Sequence, residues 1–444
     1  MQTSKGCAFL MDMGTGKTIT TIAVAGAMFY QHKALKMLVV APKSIVDVWD
    51  EEFRKFADFP YCLAVLDGTG EKKADTIRNM IGTGLQVIVV NYESCWRLET
   101  ELTRWKPDMI VCDESSKIKN PQAKCSKALH HLGKISSYNL ILTGTPVTNS
   151  PLDFFSQYKF LDDSIFGQSF YAFRSYYAVM GGYQQHQVIG YKHLAELVSK
   201  AHAIAYRIRI DEAVELPEFV DEIRPVRLEP KAQKIYDGIS KDSYAELAAG
   251  EVTTRNVLTQ LLRLSQCTGG YIRNDDGGDV QQVSTAKLEA LEDIVDDCMD
   301  SGKKVVVFAR FIPEIDAISK MLRKKDIGHA IIKGDVTNRT EQVEAFQKDP
   351  NCKVFIGQLA TTGMGLTLTA GTVAVYYSLD FSYANYEQSR ARIRRIGQTQ
   401  RGVYIHLVAK GTIDEHVMSA LQHKGDIAKM VVDDYKTILG GKTQ

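Results

Sequence analysis

Close to the amino end, Met13, Gly14, Thr15, Gly16, Lys17 and Thr18 follow an apolar run, Cys7 to Met11, and precede a segment of helical periodicity. Two glycines, a lysine and a hydroxyl between a strand and a helix are the ingredients of a phosphate cradle. Glycine lets backbone N–H groups turn inward onto phosphate oxygens, and the helix N-terminus adds its positive dipole end. Lys17 would contact the outer phosphates, and the Thr18 hydroxyl would ligate Mg²⁺. A strict phosphate-loop pattern has glycine where this chain has Met11, but the loop's geometry does not depend on that position.

A second group of candidates is IVCDESS, Ile110 to Ser116, an apolar strand ending in two carboxylates. Asp113 would hold the metal through water, and Glu114 would orient or deprotonate an attacking water. Alone, Asp-Glu after a strand is an ordinary solvated turn. Its place a domain-length after a GKT loop gives the pair its chemical meaning. Next, LTGTPVTN, Leu142 to Asn149, runs a strand into small hydroxyl residues. Thr143 and Thr145 are placed to relay the presence of a γ-phosphate.

Two further strings lie in the last third. QLATTGMGLTLT, Gln358 to Thr369, is rich in glycine and hydroxyls after a strand. Its amides suit nucleic-acid phosphates or nucleotide sensing, and a plain glycine loop closing a βα unit is the alternative. QSRARIRRIGQ, Gln388 to Gln398, carries arginines at 390, 392, 394 and 395. Helical spacing would put Arg392 and Arg395 on one face. A charge run is usually a solvated face, but beside a phosphate-binding lobe these two become fingers that neutralise transition-state charge.

Strand-sized apolar runs must position these residues. They fall at Ala8–Met11, Met37–Ala41, Gln86–Val90, Met109–Cys112 and Asn139–Thr143, then at Lys304–Ala309, Ala330–Ile332, Lys353–Ile356, Thr372–Tyr377 and Val403–Val408. Each precedes a turn and a helical pattern, so the reading is α/β, with buried parallel sheets in two lobes. Between them, Pro151 to Gly270 is rich in Phe, Tyr and Leu at helical spacings and reads as a mainly helical insertion. Asn274–Val283 is polar and glycine-containing, a candidate hinge or exposed loop before the second lobe. The expected domains are 1–150, 151–280 and 281–444.

Composition narrows the class. At 444 residues the chain exceeds one ordinary core. It is 45% apolar and 24% charged with net charge +1, so any polyanion surface must come from local clustering of Lys and Arg. Eight dispersed cysteines without a CxxC pair read as buried reduced thiols, which points to a reducing compartment, the cytoplasm. No histidine spacing suits a structural zinc. No run is long enough to span a bilayer, and no secretory signal opens the chain.

MDMGTGKT, LVVAPKSIVDVW, DESSKIKNP, LTGTPVTNS, VVVFARF, TTGMGLTLTA and QSRARIRRIGQ occur here in that order. Together they resemble the superfamily-two helicase-like ATPases, and within them the Swi/Snf-type double-stranded DNA translocases. Supporting similarities, FFSQYKFLDDSIFG, RIRIDEAVELPE and LLRLSQCTGGYI, extend the resemblance over nearly the whole chain. It implies two RecA-like lobes, hydrolysis of ATP with Mg²⁺, and sequence-independent contacts to duplex DNA. Nucleotide contacts would come from Met13 to Thr18, Gly365 and Gln388, and catalysis from Lys17, Asp113, Glu114, Arg392 and Arg395. DNA contacts would come from Pro42, Lys43, Thr145, Thr361, Thr362 and Gly363. The compact extent looks most like stand-alone bacterial or phage members, which would work in the bacterial cytoplasm. The family's adenine-recognising segment would lie further upstream than the sixteen residues before Lys17, so the chain reads as trimmed at its start. The carboxylate motif usually continues Gly-His or Ala-His, whereas Ser115 and Ser116 stand here. Competing readings are a nucleic-acid-binding scaffold with impaired ATPase and an RNA helicase.

Overall fold

Runs such as MLVVA and QVIVV lack polar alternation, and a strand of that kind is stable only when both faces are covered. The computed structural model describes residues 5–182, 187–248, 254–273, 280–334, 336, 338–362 and 366–433. The chain divides into two compact units, Met1–Val214 with Lys424–Gln444, and Glu215–His423.

In the first unit the strands are β1 (Gly6–Met11), β2 (Lys36–Ala41), β3 (Tyr61–Val65), β4 (Leu85–Asn91), β5 (Met109–Asp113) and β6 (Tyr138–Thr143). An antiparallel hairpin of β7 (Ala178–Gly181) and β8 (Gln187–Tyr191) follows, then β9 (Ala205–Ile208). The main sheet runs β3-β4-β2-β5-β6-β1-β9 with every pairing parallel. Side chains leave a strand alternately to opposite faces, and the core obeys this. Leu38 and Val40 pack with Ile88, Val90, Ile110 and Cys112 on one face. Met37, Val39 and Ala41 pack with Val87, Val89, Met109 and Val111 on the other. Each such side chain contributes about 1.5–3 kcal/mol by leaving water, so a charge at Val39 or Val111 would break the sheet.

The second unit repeats the design. Its strands are β10 (Phe219–Val226), β13 (Val305–Ala309), β14 (Gly328–Ile332), β15 (Cys352–Gln358), β16 (Val373–Tyr376) and β17 (Gly402–Ala409), and β11 (Tyr271–Arg273) with β12 (Val280–Gln282) makes a short hairpin. The sheet order is β10-β17-β16-β13-β15-β14, again wholly parallel. Val305 and Val307 face one core cluster, Val306 and Phe308 the other. Two parallel sheets of seven and six strands are the α/β arrangement expected of two RecA-like lobes.

All ten strands expected from the sequence form. The middle region carries helices at Phe154–Leu161, Phe170–Tyr177, Leu194–His202, Pro230–Ala248 and Thr254–Thr268. It also holds β9 and β10, which join the two sheets as edge strands. Neither has an apolar run, because an edge strand needs cover on fewer sides; Val220 and Ile223 of β10 are more than half exposed. In the expected hinge, residues 280–282 instead pair as β12, and 274–279 lie outside the described residues. Among the described residues, no helix is long and apolar enough to cross a membrane.

Candidate functional site

Parallel strands all end on one edge of a sheet, and ligands of open α/β sheets bind outside those carboxyl ends. In the first unit the loops after β1, β2, β5 and β6 meet that condition, and they carry the residues singled out above. Gly14 and Gly16 adopt φ of 82° and 90°, a left-handed backbone that a side chain would strain. Gly16 caps the helix Lys17–Tyr30, leaving the first amides of that helix to the loop. Lys17 Nζ donates to the Met11 and Asp12 carbonyls at 2.9 and 3.0 Å. The Thr15 hydroxyl donates to Asp12 O at 2.8 Å. Lys17 is thus folded back over the loop, and phosphate oxygens would replace those carbonyls.

β5 delivers the two carboxylates. Asp113 is 7% exposed, and its Oδ2 accepts from the Trp49 indole at 3.0 Å while Oδ1 accepts from Glu114 N at 3.0 Å. Burial and then the Glu114 charge push its carboxyl up to about 6, with Lys17, Trp49 and the Glu114 amide opposing. Asp113 therefore holds its negative charge at a cost that a nearby cation relieves. Glu114 has φ 52° and ψ 55°, the left-handed region for a residue with a side chain. Its Oε2 is buried with no hydrogen-bond partner. A strained backbone holding an unsatisfied carboxylate costs folding energy on the order of 1–3 kcal/mol and is characteristic of a working site. Asp113 and Thr18 are hard oxygen donors of the type Mg²⁺ takes alongside phosphates. The residues present fit that ion.

The neighbouring loops are tied to the carboxylates. Thr143 is fully buried and its hydroxyl accepts from Thr145 N at 3.0 Å, while Thr145 Oγ1 is buried without a partner. A side chain at Gly144 would meet Met11 O at 3.3 Å, so this loop abuts the phosphate cradle. Ser115, the departure from the family pattern, is fully buried and donates to Gln157 Oε1 at 2.7 Å. Gln157 Nε2 donates in turn to Pro146 O and Asp153 O at 2.8 and 2.9 Å. The carboxylate strand and the Thr-Gly-Thr-Pro loop are therefore joined through two polar side chains. Trp49 and Gln157 were not legible as site residues; each lay inside a quoted string but reads as core. Pro42 is buried at the end of β2 and Lys43 is exposed beside it.

In the second unit Gln358 ends β15, donates to Arg310 O at 3.3 Å and accepts from Gly334 N at 3.1 Å. Thr361 Oγ1 donates to Gln358 O at 3.1 Å. A cavity of about 510 Å³ opens beside Arg310, Glu314 and Gln358. Thr362 is described in its backbone alone, at the end of the helix Leu359–Thr362, and Gly363 and Gly365 lie outside the described residues. The arginine run departs from the expected helix: Tyr383–Arg390 ends before Arg392. The two guanidiniums converge all the same, Nη1 of Arg392 and of Arg395 donating to Leu366 O at 3.4 and 3.3 Å. Arg395 also donates to Thr367 Oγ1 at 3.1 Å. Arg390 instead pairs with Asp221 of β10 and lies 4.0 Å from the Tyr404 ring. Gln388 is buried, and Gln398 binds the Thr369 and Gly371 carbonyls, shaping the loop.

The SNF2-related domain matches residues 1–269, and the helicase conserved C-terminal domain matches residues 286–397. The chain is 25% identical over 423 residues to an uncharacterized ATP-dependent helicase of Mycoplasma genitalium, covering 94% of this chain and 39% of that protein. It is also 25% identical to the DNA repair and recombination protein RAD54-like of Gallus gallus, covering 98% of this chain and 65% of that one. The chain thus spans from 39% to 65% of the length of these curated relatives. The SWI2/SNF2 ATPase core of Sulfolobus solfataricus, solved in complex with dsDNA, is similar at a TM-score of 0.43 and 23% identity, covering 99% of this chain and 93% of that chain. With more than half of its residues inside the first of these domains, the chain belongs to the SNF2-related family of helicase-like ATPases.

Proposed function

We propose that the protein is an ATP-driven motor that moves along double-stranded DNA. The observation that carries this reading is Glu114, held in a left-handed backbone with a buried, unpartnered carboxylate oxygen directly after Asp113. ATP phosphates sit on the amides of Met13 to Thr18, and Lys17 exchanges the Met11 and Asp12 carbonyls for the outer phosphate oxygens. Mg²⁺, held by Asp113 and Thr18, would supply neutralisation of the phosphate charge. Glu114 orients water and takes up its proton. Arg392 and Arg395 are supplied from the second unit to meet the charge that develops on the transferred phosphoryl group. Gln388 and Gly365 are proposed to add contacts to the nucleotide.

Pro42, Lys43, Thr145, Thr361, Thr362 and Gly363 contact the DNA backbone. Contacts confined to phosphates suit a motor, which must step across any sequence. The DNA-repair and recombination name of one relative supports a DNA track. The Ser115–Gln157 link carries the state of the carboxylates to the Thr145 loop.

The test is ATP hydrolysis measured with duplex DNA, single-stranded DNA and RNA, together with displacement of a third strand from a triplex. Duplex-stimulated hydrolysis and triplex displacement, both abolished in Lys17→Ala, are expected. Stimulation by RNA alone, or hydrolysis indifferent to Lys17, would overturn the proposal.

A further inference from the structure

The chain leaves the first unit after Val214 and returns to it at Lys424. Arg207, a few residues before the departure, contacts Asp433 of the returning segment and Asp12 at the start of the phosphate loop. Arg207 lies on β9, the edge strand beside β1, opposite Leu10 in register. Its side chain is 10% exposed. Nη1 donates to Asp12 Oδ1 at 2.6 Å, to Leu10 O at 2.9 Å and to Ile208 O at 3.2 Å. Nε donates to Asp433 Oδ1 at 2.9 Å, and Nη2 donates to the same oxygen.

Asp12 is the residue on which the cradle turns. Its carbonyl receives Lys17 Nζ and the Thr15 hydroxyl, and its Oδ2 accepts from Ile210 N at 2.9 Å. Its own amide donates to Ile208 O at 3.0 Å. The start of the phosphate loop is therefore fastened to the segment 207–210, just before the chain departs. The returning segment is fastened to the same guanidinium. Val431 and Val432 are buried in the unit's core, and Val431 O lies 3.1 Å from His202 Nε2. Burial opposes the charge on Arg207, and the Asp12 and Asp433 carboxylates more than reverse that.

A guanidinium held between two carboxylates is fixed in direction as well as in charge. We propose that Arg207 is a positioning residue for the phosphate loop, and that the returning segment sets its grip through Asp433. With Asp433 engaged, the guanidinium plane is locked and presents Nη1 to Asp12 and Leu10. With Asp433 withdrawn, the same group is free to turn, and the Asp12 carbonyl that gathers Lys17 and Thr15 loses its fixed place. Release of Asp433 then alters nucleotide affinity without touching the nucleotide. The inference rests on the reading of Gly14–Thr18 as a nucleotide site.

The experiment is a binding titration with a fluorescent ATP analogue and Mg²⁺, run beside steady-state hydrolysis. It uses the full chain as wild type, Lys17→Ala, Asp433→Asn, Arg207→Lys, Arg207→Ala and the double variant Arg207→Ala with Asp433→Asn. Asp433→Asn keeps shape and leaves Val431 and Val432 in the core, so it folds even where Arg207→Ala does not. Asp433→Asn is expected to weaken analogue binding about fivefold and to raise KM more than it lowers kcat. Arg207→Ala weakens binding about tenfold or more, Arg207→Lys recovers part of the loss, and Asp433→Asn adds nothing in the Arg207→Ala background. Such non-additivity is the signature of two groups acting through one contact. Wild-type affinity in Asp433→Asn, or equal effects of that change in both backgrounds, overturns the coupling while wild type binds and Lys17→Ala does not. Failure of wild type and Lys17→Ala alike to bind the analogue overturns the nucleotide site itself, and the inference falls with it.

Discussion

The two units offer opposite charge, carboxylates at the carboxyl edge of the first sheet and, in the second unit, guanidiniums on the stretch that leads into β17. In the first unit Asp113 and Glu114 are buried, the Asp113 carboxylate is anchored by Trp49 and its neighbour's amide, and the chain is strained at Glu114. In the second unit Arg392 is buried, it shares the Leu366 carbonyl with Arg395 at 3.4 and 3.3 Å, and Arg395 also donates to Thr367 Oγ1 at 3.1 Å. A carboxylate that manages water must already be in place when nucleotide arrives. The guanidiniums proposed to answer developing phosphate charge would exchange such neutral acceptors for charged oxygens. Within the arginine run Arg390 is held by Asp221, Tyr386 and Tyr404. It anchors the run at the helix end, ahead of Arg392 and Arg395.

The largest effect should come from the arginine side. Arg395→Ala is expected to lower turnover by about 10³–10⁵-fold while nucleotide binding by titration stays near wild type. Normal turnover would remove the proposed role of Arg395. Next, Glu114→Gln should cost about 10²–10⁴-fold in kcat. Because it removes a buried charge from a strained position, its thermal midpoint should match or exceed wild type; a midpoint well below it would make Glu114 a structural residue. Third, Gln157→Ala strands the Ser115 hydroxyl and the Pro146 and Asp153 carbonyls. A loss of about 1–3 kcal/mol in denaturant unfolding follows, together with weakened stimulation of hydrolysis by DNA. Unchanged stimulation would separate the carboxylates from the Thr145 loop.

The smallest expected effect lies in the second unit and concerns pH. Glu314 is 1% exposed, with Oε2 accepting from Arg310 N, Phe311 N and Ser378 Oγ, and Oε1 buried without a partner. Burial pushes its carboxyl up to about 7 from an ordinary 4.5, against the pull of those hydrogen bonds. Between these values the native state keeps a proton that the unfolded chain has released. Stability from this group therefore falls as pH rises through that window and is level above it. Glu314→Gln should flatten the slope, matching wild type near pH 4.5 and exceeding it above pH 7. An unaltered slope in a thermal-melt series would assign it to another group.

Much of this was readable from the chain because the signals are local. A buried parallel strand must be apolar over its whole length, and a phosphate loop needs glycines beside lysine, so the ten strands and Gly14 to Thr18 declare themselves. The edge strands β9 and β10 do not, since partial cover removes the demand for an apolar run. The arginine run shows the same limit from the other side. Its spacing suggested a helical face, yet Arg392 and Arg395 meet at Leu366 after the helix has ended, because a distant backbone carbonyl draws them together.

By itself, then, the sequence determined the two α/β sheets, the residue types of the phosphate loop, the carboxylate pair and the arginine run, and the kind of reaction those types suggest. Each of these depends on composition within a few residues. Only the tertiary structure decided which polar groups have partners: the isolated Glu114 oxygen, the Ser115–Gln157 link and the Arg207 bridge from Asp12 to Asp433. These join positions 42, 195 and 226 residues apart. At such separations hydrogen bonding follows from how strands and segments are stacked, and no local pattern encodes it.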